Sequence, residues 1–147
     1  MKLYTSYWAM VRHFPKNLIA LNTTIFPPKW YQVGGTDKNG VISLHCPPLR
    51  PGHSCDGLCN GKCNPKHPQD CAFLREYHNQ IFALDFEEFM QKLHTLKVKI
   101  CKNEGFSDVD FAFIFFEKYD VQCSERWVVQ DWIRAHGIEI EEWHPNI

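Results

Sequence analysis

Phe111-Ala112-Phe113-Ile114-Phe115-Phe116 is an unbroken apolar run that ends in Glu117-Lys118. A short run without alternation is typical of a central parallel strand that is buried on both faces. After a polar loop, Cys123-Ser124-Glu125-Arg126 opens a segment that reaches His136 and is followed by Gly137, a common residue after a helix. The sequence therefore predicts a strand, a tight loop and a helix over residues 110–136.

The start of this predicted helix is a candidate site for anion binding. Backbone N–H groups at a helix N-terminus have no partners within the helix, and the helix dipole is positive there. Arg126 would bind a phosphate or carboxylate, with Lys118 and Ser124 in the same loop as further ligand contacts. The alternative is that Arg126 forms a salt bridge to an acidic residue nearby.

The same loop carries a candidate nucleophile. A helix N-terminus and a nearby arginine lower the pKa of a thiol, so Cys123 would react as a thiolate. Glu117 or Glu125 would then act as general acid or base. The alternative is a structural thiol that caps the helix or is half-buried. No proton acceptor for the thiol is evident beside it, so the enzymatic interpretation stays open.

Length and composition restrict the class of protein. With 147 residues and 44% hydrophobic residues, the chain predicts a single domain over 1–147. No apolar run approaches the roughly 20 residues that a membrane span needs, and the first residues do not resemble a signal peptide. A net charge of -1 gives no general attraction to nucleic acid, so binding to phosphate must be local. The pattern does not indicate an oligomeric state.

Cysteines dominate a Pro- and Gly-rich insert at about residues 46–71. Seven cysteines without a secretory signal predict a cytoplasmic protein whose thiols bind metal rather than form disulfides. The spacing C-x3-C-x3-C-x7-C predicts a closed, structural zinc site made by four thiolates, with an iron–sulfur cluster as the alternative. These ligands are Cys55, Cys59, Cys63 and Cys71, with Cys46, His53 and His67 in reserve.

The remaining elements complete an α/β order. Strands are predicted over 2–9, 17–26 and 138–143, and helices over 72–82 and 85–96. This order predicts a compact three-layer domain with a mostly parallel sheet. Ligands of such sheets bind beyond the carboxyl ends of the strands.

Further ligand contacts are expected at these strand ends. Tyr4 and Ser6 lie near the end of the first strand, while Lys29 and Trp30 follow the second. A basic residue beside aromatic residues can clamp a planar ligand that carries phosphate. The alternative is an ordinary surface loop whose tryptophan packs on the core.

Several of these segments resemble the YeaO-like proteins, a family described as domain of unknown function 488. The resemblance lies in Phe115-Phe116-Glu117-Lys118, Arg126, Trp132, residues 137–143, Tyr4-Thr5-Ser6-Tyr7, Pro28-Lys29-Trp30 and Glu76-Tyr77. One departure is that the Cys-His-Arg of the family falls on Ser124-Glu125-Arg126, so Cys123 lies one residue early. The resemblance implies an α/β fold, but the family has no settled activity to carry over.

Three functions follow as expectations. The first is recognition of a small anionic, nucleotide-like ligand in the strand–loop–helix pocket, with cysteine-dependent chemistry as an open addition. The second is a binding protein that sequesters such a nucleotide without turning it over. The third is an insert, stabilised by zinc, that docks nucleic acid or protein; its basic residues, Lys62 and Lys66, give only mild positive charge.

Overall fold

The computed structural model describes residues 1–58, 67–118, 121 and 123–145. Its strands and helices form an α/β fold, which confirms the α/β part of the predicted fold class. The elements are β1 (Leu3–Tyr7), α1 (Trp8–Val11), β2 (Leu18–Asn22), β3 (Gly35–Thr36), β4 (Ile42–His45), α2 (Ala72–Phe82), α3 (Phe86–Glu104), β5 (Asp110–Phe115), α4 (Glu125–Ala135) and β6 (Ile140–Glu142). None of the helices in these residues is long and apolar enough to cross a membrane.

The strands form one six-stranded sheet in the order β3-β4-β2-β5-β1-β6. β5 lies between β1 and β2 and is parallel to both, and β4 and β6 extend the parallel sheet outward. Among the strands of the described residues, only β3 runs antiparallel, against β4. Residues 111–115 of β5 are completely buried, so the prediction of a central strand buried on both faces is confirmed.

The two faces of the sheet are covered unequally. α2, α3 and α4 pack on the face that carries Phe111, Phe113 and Phe115. The opposite face carries Ala112 and Ile114 and is covered by the single turn of α1 and by loop residues. Three long helices thus shield one face, whereas the other is left with a thin cover in which a cavity can form.

Two strands were not predicted from the sequence. Residues 37–40 contain strong turn signals, and β3 and β4 flank that turn as a short antiparallel pair. β4 joins the sheet beside β2, with Asn22 level with His45. The pairing depends on contacts with β2, which local pattern does not reveal.

Two helices begin or end at other residues than the sequence predicted, and each difference has a physical reason. α3 continues to Glu104, beyond the predicted end at residue 96, and Gly105 ends it with a φ of 75° that suits glycine. α4 begins at Glu125 rather than at Cys123, because Ser124 is its N-cap. A serine side chain satisfies an orphan amide at this position, whereas a cysteine thiol is a weaker acceptor.

The described part of the insert is anchored on α2. The Tyr77 hydroxyl is buried and donates to the carbonyl of Leu49. The Gln80 side chain accepts from the amide of Gly52 at 2.7 Å and donates to the carbonyl of Arg50 at 2.7 Å. These bonds satisfy backbone groups of a segment that has little regular structure of its own.

Candidate functional site

Arg126 is completely buried at the carboxyl end of the sheet. Its Nε donates to Glu142 Oε1 at 3.0 Å, and its Nη1 donates to the carbonyl of Lys118 at 2.6 Å and to Ser124 Oγ at 3.2 Å. Its Nη2 donates to the carbonyl of Ser6 at 3.2 Å. The guanidinium thereby links β1, β6 and the loop that follows β5. The salt bridge that the described residues show goes to Glu142 of β6; of the acidic residues considered from sequence, Asp120 lies outside the described residues.

The start of α4 is occupied by groups of the protein itself. Ser124 Oγ accepts from the amide of Arg126 at 3.3 Å and lies 3.3 Å from Glu117 Oε2, to which it donates. The carbonyl of Ser124 accepts from the amide of Trp127. The helix start that the sequence suggested for an anion is therefore capped from within.

Hydrogen bonds extend this network into the core. Gln130 Nε2 donates to Thr5 Oγ1 at 2.7 Å, and Thr5 Oγ1 donates to Glu142 Oε1 at 2.8 Å. Burial raises the pKa of Glu142 even though the Arg126 charge and the two hydrogen bonds favour its ionised form. Such a network is stable only with all its members in place, because an unpaired buried charge is costly.

Glu125 gives the helix start a carboxyl group whose pKa is raised far above its ordinary value. Burial is the largest cause and the charge of Glu117 the second, and together they raise the pKa of Glu125 to about 8. Its own backbone amide and Arg126 oppose this shift. Cys123, the predicted nucleophile, is half-buried against the helical side of the core. Two neighbouring carboxyl groups make this position better suited to proton transfer than to holding an anion.

A second site lies on the thinly covered face of the sheet. A cavity of about 740 Å³ opens between α1 and residues 30–39. Three aromatic rings form part of its wall: the Trp8 and Tyr31 centroids are 4.7 Å apart, and Trp30 stands nearly perpendicular to Tyr31 at 6.2 Å. Trp30 is 68% exposed, so an entering ligand can reach its ring. We call this space, lined by Trp8, Ala9, Arg12, Trp30, Tyr31, Gln32, Gly34 and residues 36–39, the aromatic cavity.

The charged side chains around the aromatic cavity differ in their exposure and in their hydrogen bonds to the protein. Asp37 Oδ2 accepts from the Tyr31 hydroxyl at 2.9 Å, and its Oδ1 accepts from two backbone amides of the β3–β4 turn. Burial is the main reason that the pKa of Tyr31 rises to about 12, so its hydroxyl keeps its proton as a donor. Asp37 is therefore engaged in holding the turn, while Arg12 and Lys38 line the cavity and are exposed.

The residues proposed from sequence separate into two groups. Ser6, Glu117, Lys118, Ser124 and Arg126 meet at the start of α4 through the contacts given above. Tyr4 packs on the opposite face, Lys29 is exposed, and Trp30 lines the aromatic cavity. Sequence reasoning missed Glu142, Trp8, Arg12 and Lys38. The tryptophan beside a strand end was the available signal for the cavity.

The predicted zinc ligands are only partly within the described residues. Cys55 is buried, with its Sγ 3.9 Å from Gln80 Oε1, and Cys71 is half-buried immediately before α2. Cys59 and Cys63 lie outside the described residues. Within 1–58, 67–118, 121 and 123–145, no group of three or more His, Cys, Asp or Glu side chains is arranged to hold a metal ion.

Comparisons with known proteins add no assignment. The chain matches no protein-family model, no curated protein and no solved structure at a significant level. Membership of the YeaO-like family therefore stays a prediction from sequence, and the function has to be inferred from the geometry of the two sites.

Proposed function

We propose that the protein binds a small anionic, nucleotide-like ligand, and that the ligand occupies the aromatic cavity rather than the start of α4. The observation that carries the proposal is a cavity whose aromatic walls are combined with two exposed cations, Arg12 and Lys38. The cavity also contains Trp30, which the sequence singled out as a ligand contact.

Size and shape support a ligand of nucleotide dimensions. Pockets for small molecules generally measure about 300–1,000 Å³, and the aromatic cavity falls within that range. The exposed ring of Trp30 offers a face on which a planar group can stack. Stacking on aromatic side chains contributes about 1–3 kcal/mol per base in single-stranded nucleic-acid complexes.

The charged residues that line the cavity support an anionic ligand. Neutral donors hold Asp37 in place without cancelling its charge, but the two cations that line the cavity, Arg12 and Lys38, outnumber it. A guanidinium binds phosphate through two parallel hydrogen bonds, and an ammonium adds a compact charge. By contrast, the four donors of Arg126 described above are directed to protein groups.

Removing both cations tests the proposal. We expect Arg12→Ala/Lys38→Ala to weaken binding of ribonucleoside 5′-monophosphates at least tenfold, because each charged hydrogen bond contributes about 1.5–3 kcal/mol. Isothermal titration calorimetry of the purified protein gives the dissociation constants. The control Lys92→Ala/Lys99→Ala removes two exposed charges from α3 and should bind as the parent protein does.

Two results would contradict this placement. The first is equal weakening by both double variants, which would indicate only a general effect of net charge. The second is the absence of binding to every mononucleotide and to inorganic phosphate by the unsubstituted protein.

A second candidate function is turnover by Cys123 of a ligand bound at the start of α4 instead of in the aromatic cavity, with Glu117 or Glu125 as acid or base. The observation that favours it is a carboxyl group whose pKa lies near 8 at the start of α4. The ligand recovered after denaturation distinguishes the two functions. An intact ligand favours sequestration, whereas a product that disappears in Cys123→Ser favours catalysis.

A further proposal concerns the cysteines of the insert, which would bind a structural metal ion. Cys55, Cys59, Cys63 and Cys71 would hold a structural zinc ion, which a reducing cytoplasm would permit by keeping the thiols free for metal. Native mass spectrometry of protein purified from cells should find one zinc ion, lost in Cys59→Ser/Cys63→Ser and kept in Cys101→Ser. The mass of an iron–sulfur cluster would support the alternative cofactor, and a metal-free chain would exclude both.

A further inference from the structure

Trp8 places a hydrogen-bond donor without a partner beside the aromatic cavity. Trp8 is 4% exposed and is one of the residues that line the cavity, its ring lies 4.7 Å from that of Tyr31, and within the described residues its Nε1 has no hydrogen-bond partner. A buried donor left unpaired costs about 1–3 kcal/mol. In native proteins such atoms are few, and each one calls for a physical explanation.

Ser6 supplies a second atom of the same kind. Its Oγ is buried and lacks a hydrogen-bond partner among the described residues. Tyr7, between Ser6 and Trp8, has extended backbone with φ of −143° and ψ of 166°. Side chains two residues apart on extended backbone project to the same side. The polar atoms of Ser6 and Trp8 thus accumulate on the face of the sheet that α1 covers.

We infer that Trp8 is a specificity-determining residue of the aromatic cavity, whose indole N–H donates to an acceptor atom on the edge of the ligand's ring. The inference rests on the proposed function and names the class of ligand more closely. The cavity takes an anion with a heteroaromatic ring, which offers a ring nitrogen or carbonyl oxygen, over one with a hydrocarbon ring of the same shape.

The physical basis is an asymmetry in the cost of hydrogen bonds. A hydrocarbon ring would fill the cavity and stack equally well, but it would leave the buried indole N–H without a partner, whereas an acceptor on a heteroaromatic ring would supply one. A site with a buried donor rejects ligands that lack the matching acceptor more strongly than a purely apolar site rejects a change of shape. Stacking on Trp30 sets affinity for any flat ring, while Trp8 discriminates between rings.

Trp132 provides a matched control. Its Nε1 is likewise buried and without a partner in the described residues, but its ring packs against Phe86 and Phe89 in the core beneath the helices. Replacement of either tryptophan by phenylalanine removes an indole N–H and part of a buried ring. Only the replacement of Trp8 changes the wall of the aromatic cavity.

The test compares two ligands on three proteins. The ligands are the tightest-binding of the four ribonucleoside 5′-monophosphates and its analogue with a phenyl ring in place of the base. We expect the unsubstituted protein to prefer the nucleotide at least tenfold, which corresponds to one matched hydrogen bond of about 1.4 kcal/mol. Trp8→Phe should reduce the preference to less than about threefold, and Trp132→Phe should keep it.

A spectroscopic readout does not depend on any variant folding. In ¹⁵N-labelled unsubstituted protein, one indole N–H resonance should shift downfield with the nucleotide and stay in place with the phenyl analogue. Equal affinity for both ligands, with no such shift, would overturn the inference but leave recognition of a planar anion intact. Failure of both ligands to bind would overturn the proposed function together with the inference.

Discussion

Replacement of Arg126 by methionine is expected to lower the free energy of unfolding by about 3–5 kcal/mol. Methionine fills part of the volume but leaves Glu142 buried without its cation, and it removes the donors to the carbonyls of Lys118 and Ser6. Breaking one half of a buried ion pair is costly because the remaining charge is desolvated and unpaired. Urea denaturation followed by circular dichroism measures the change.

Two further variants test whether the unpaired charge of Glu142 causes this loss of stability. Arg126→Met/Glu142→Leu removes both charges and should recover a large part of the lost stability, because no unpaired charge remains. Arg75→Met, on the exposed surface of α2, should change stability by less than about 0.5 kcal/mol. A fully stable Arg126→Met protein that has lost nucleotide binding would instead make Arg126 a ligand contact, as the sequence first suggested.

Replacement of Glu125 by glutamine is expected to stabilise the protein at alkaline pH and to flatten its pH dependence. The pKa of Glu125 rises from 4.5 to about 8 on folding, so the folded state holds an extra proton between those values. The wild-type protein therefore loses stability as pH rises through this window and carries the full cost above pH 8. Glutamine has no charge to desolvate. The free energy of unfolding of Glu125→Gln should therefore exceed that of the wild type by on the order of 2–4 kcal/mol at pH 9 and by little at pH 4.

Thermal or urea unfolding across this pH range measures the difference between the two proteins. Glu139→Gln changes the net charge equally at an exposed position and should leave the profile unchanged. If the curves of wild type and Glu125→Gln stay parallel from pH 4 to pH 9, the carboxyl of Glu125 titrates normally. The case for proton transfer at this helix start would then be lost.

Arg126 illustrates how far sequence could predict the site. Its place after a buried strand indicated a functional helix start, and Ser124 and Glu117 do lie beside it. Local sequence could not reveal that Glu142, from the last strand, would neutralise it at 3.0 Å. A buried arginine with protein partners and an arginine that holds a ligand have the same local sequence, since the difference lies in a distant residue.

The aromatic cavity is a site that local sequence revealed only in part. Trp30 stood out because it follows a strand and neighbours a lysine, but its partners Trp8, Arg12 and Lys38 were not recognised as one group. Trp8 had been included in the first strand, whereas the chain turns there into the single helical turn of α1. That turn brings residues 8–12 opposite residues 30–39, a contact between segments with no shared local pattern.

The amino-acid sequence alone determined the α/β class, the buried central strand and the position of α4, because continuous hydrophobicity and helix punctuation are local properties of the chain. Tertiary structure decided which charged groups are neutralised and which stay available. Burial and pairing depend on residues far apart in sequence, such as Arg126 with Glu142 and with the carbonyl of Ser6. The site proposed here therefore follows from the charges that folding leaves exposed beside an aromatic wall, at Arg12 and Lys38.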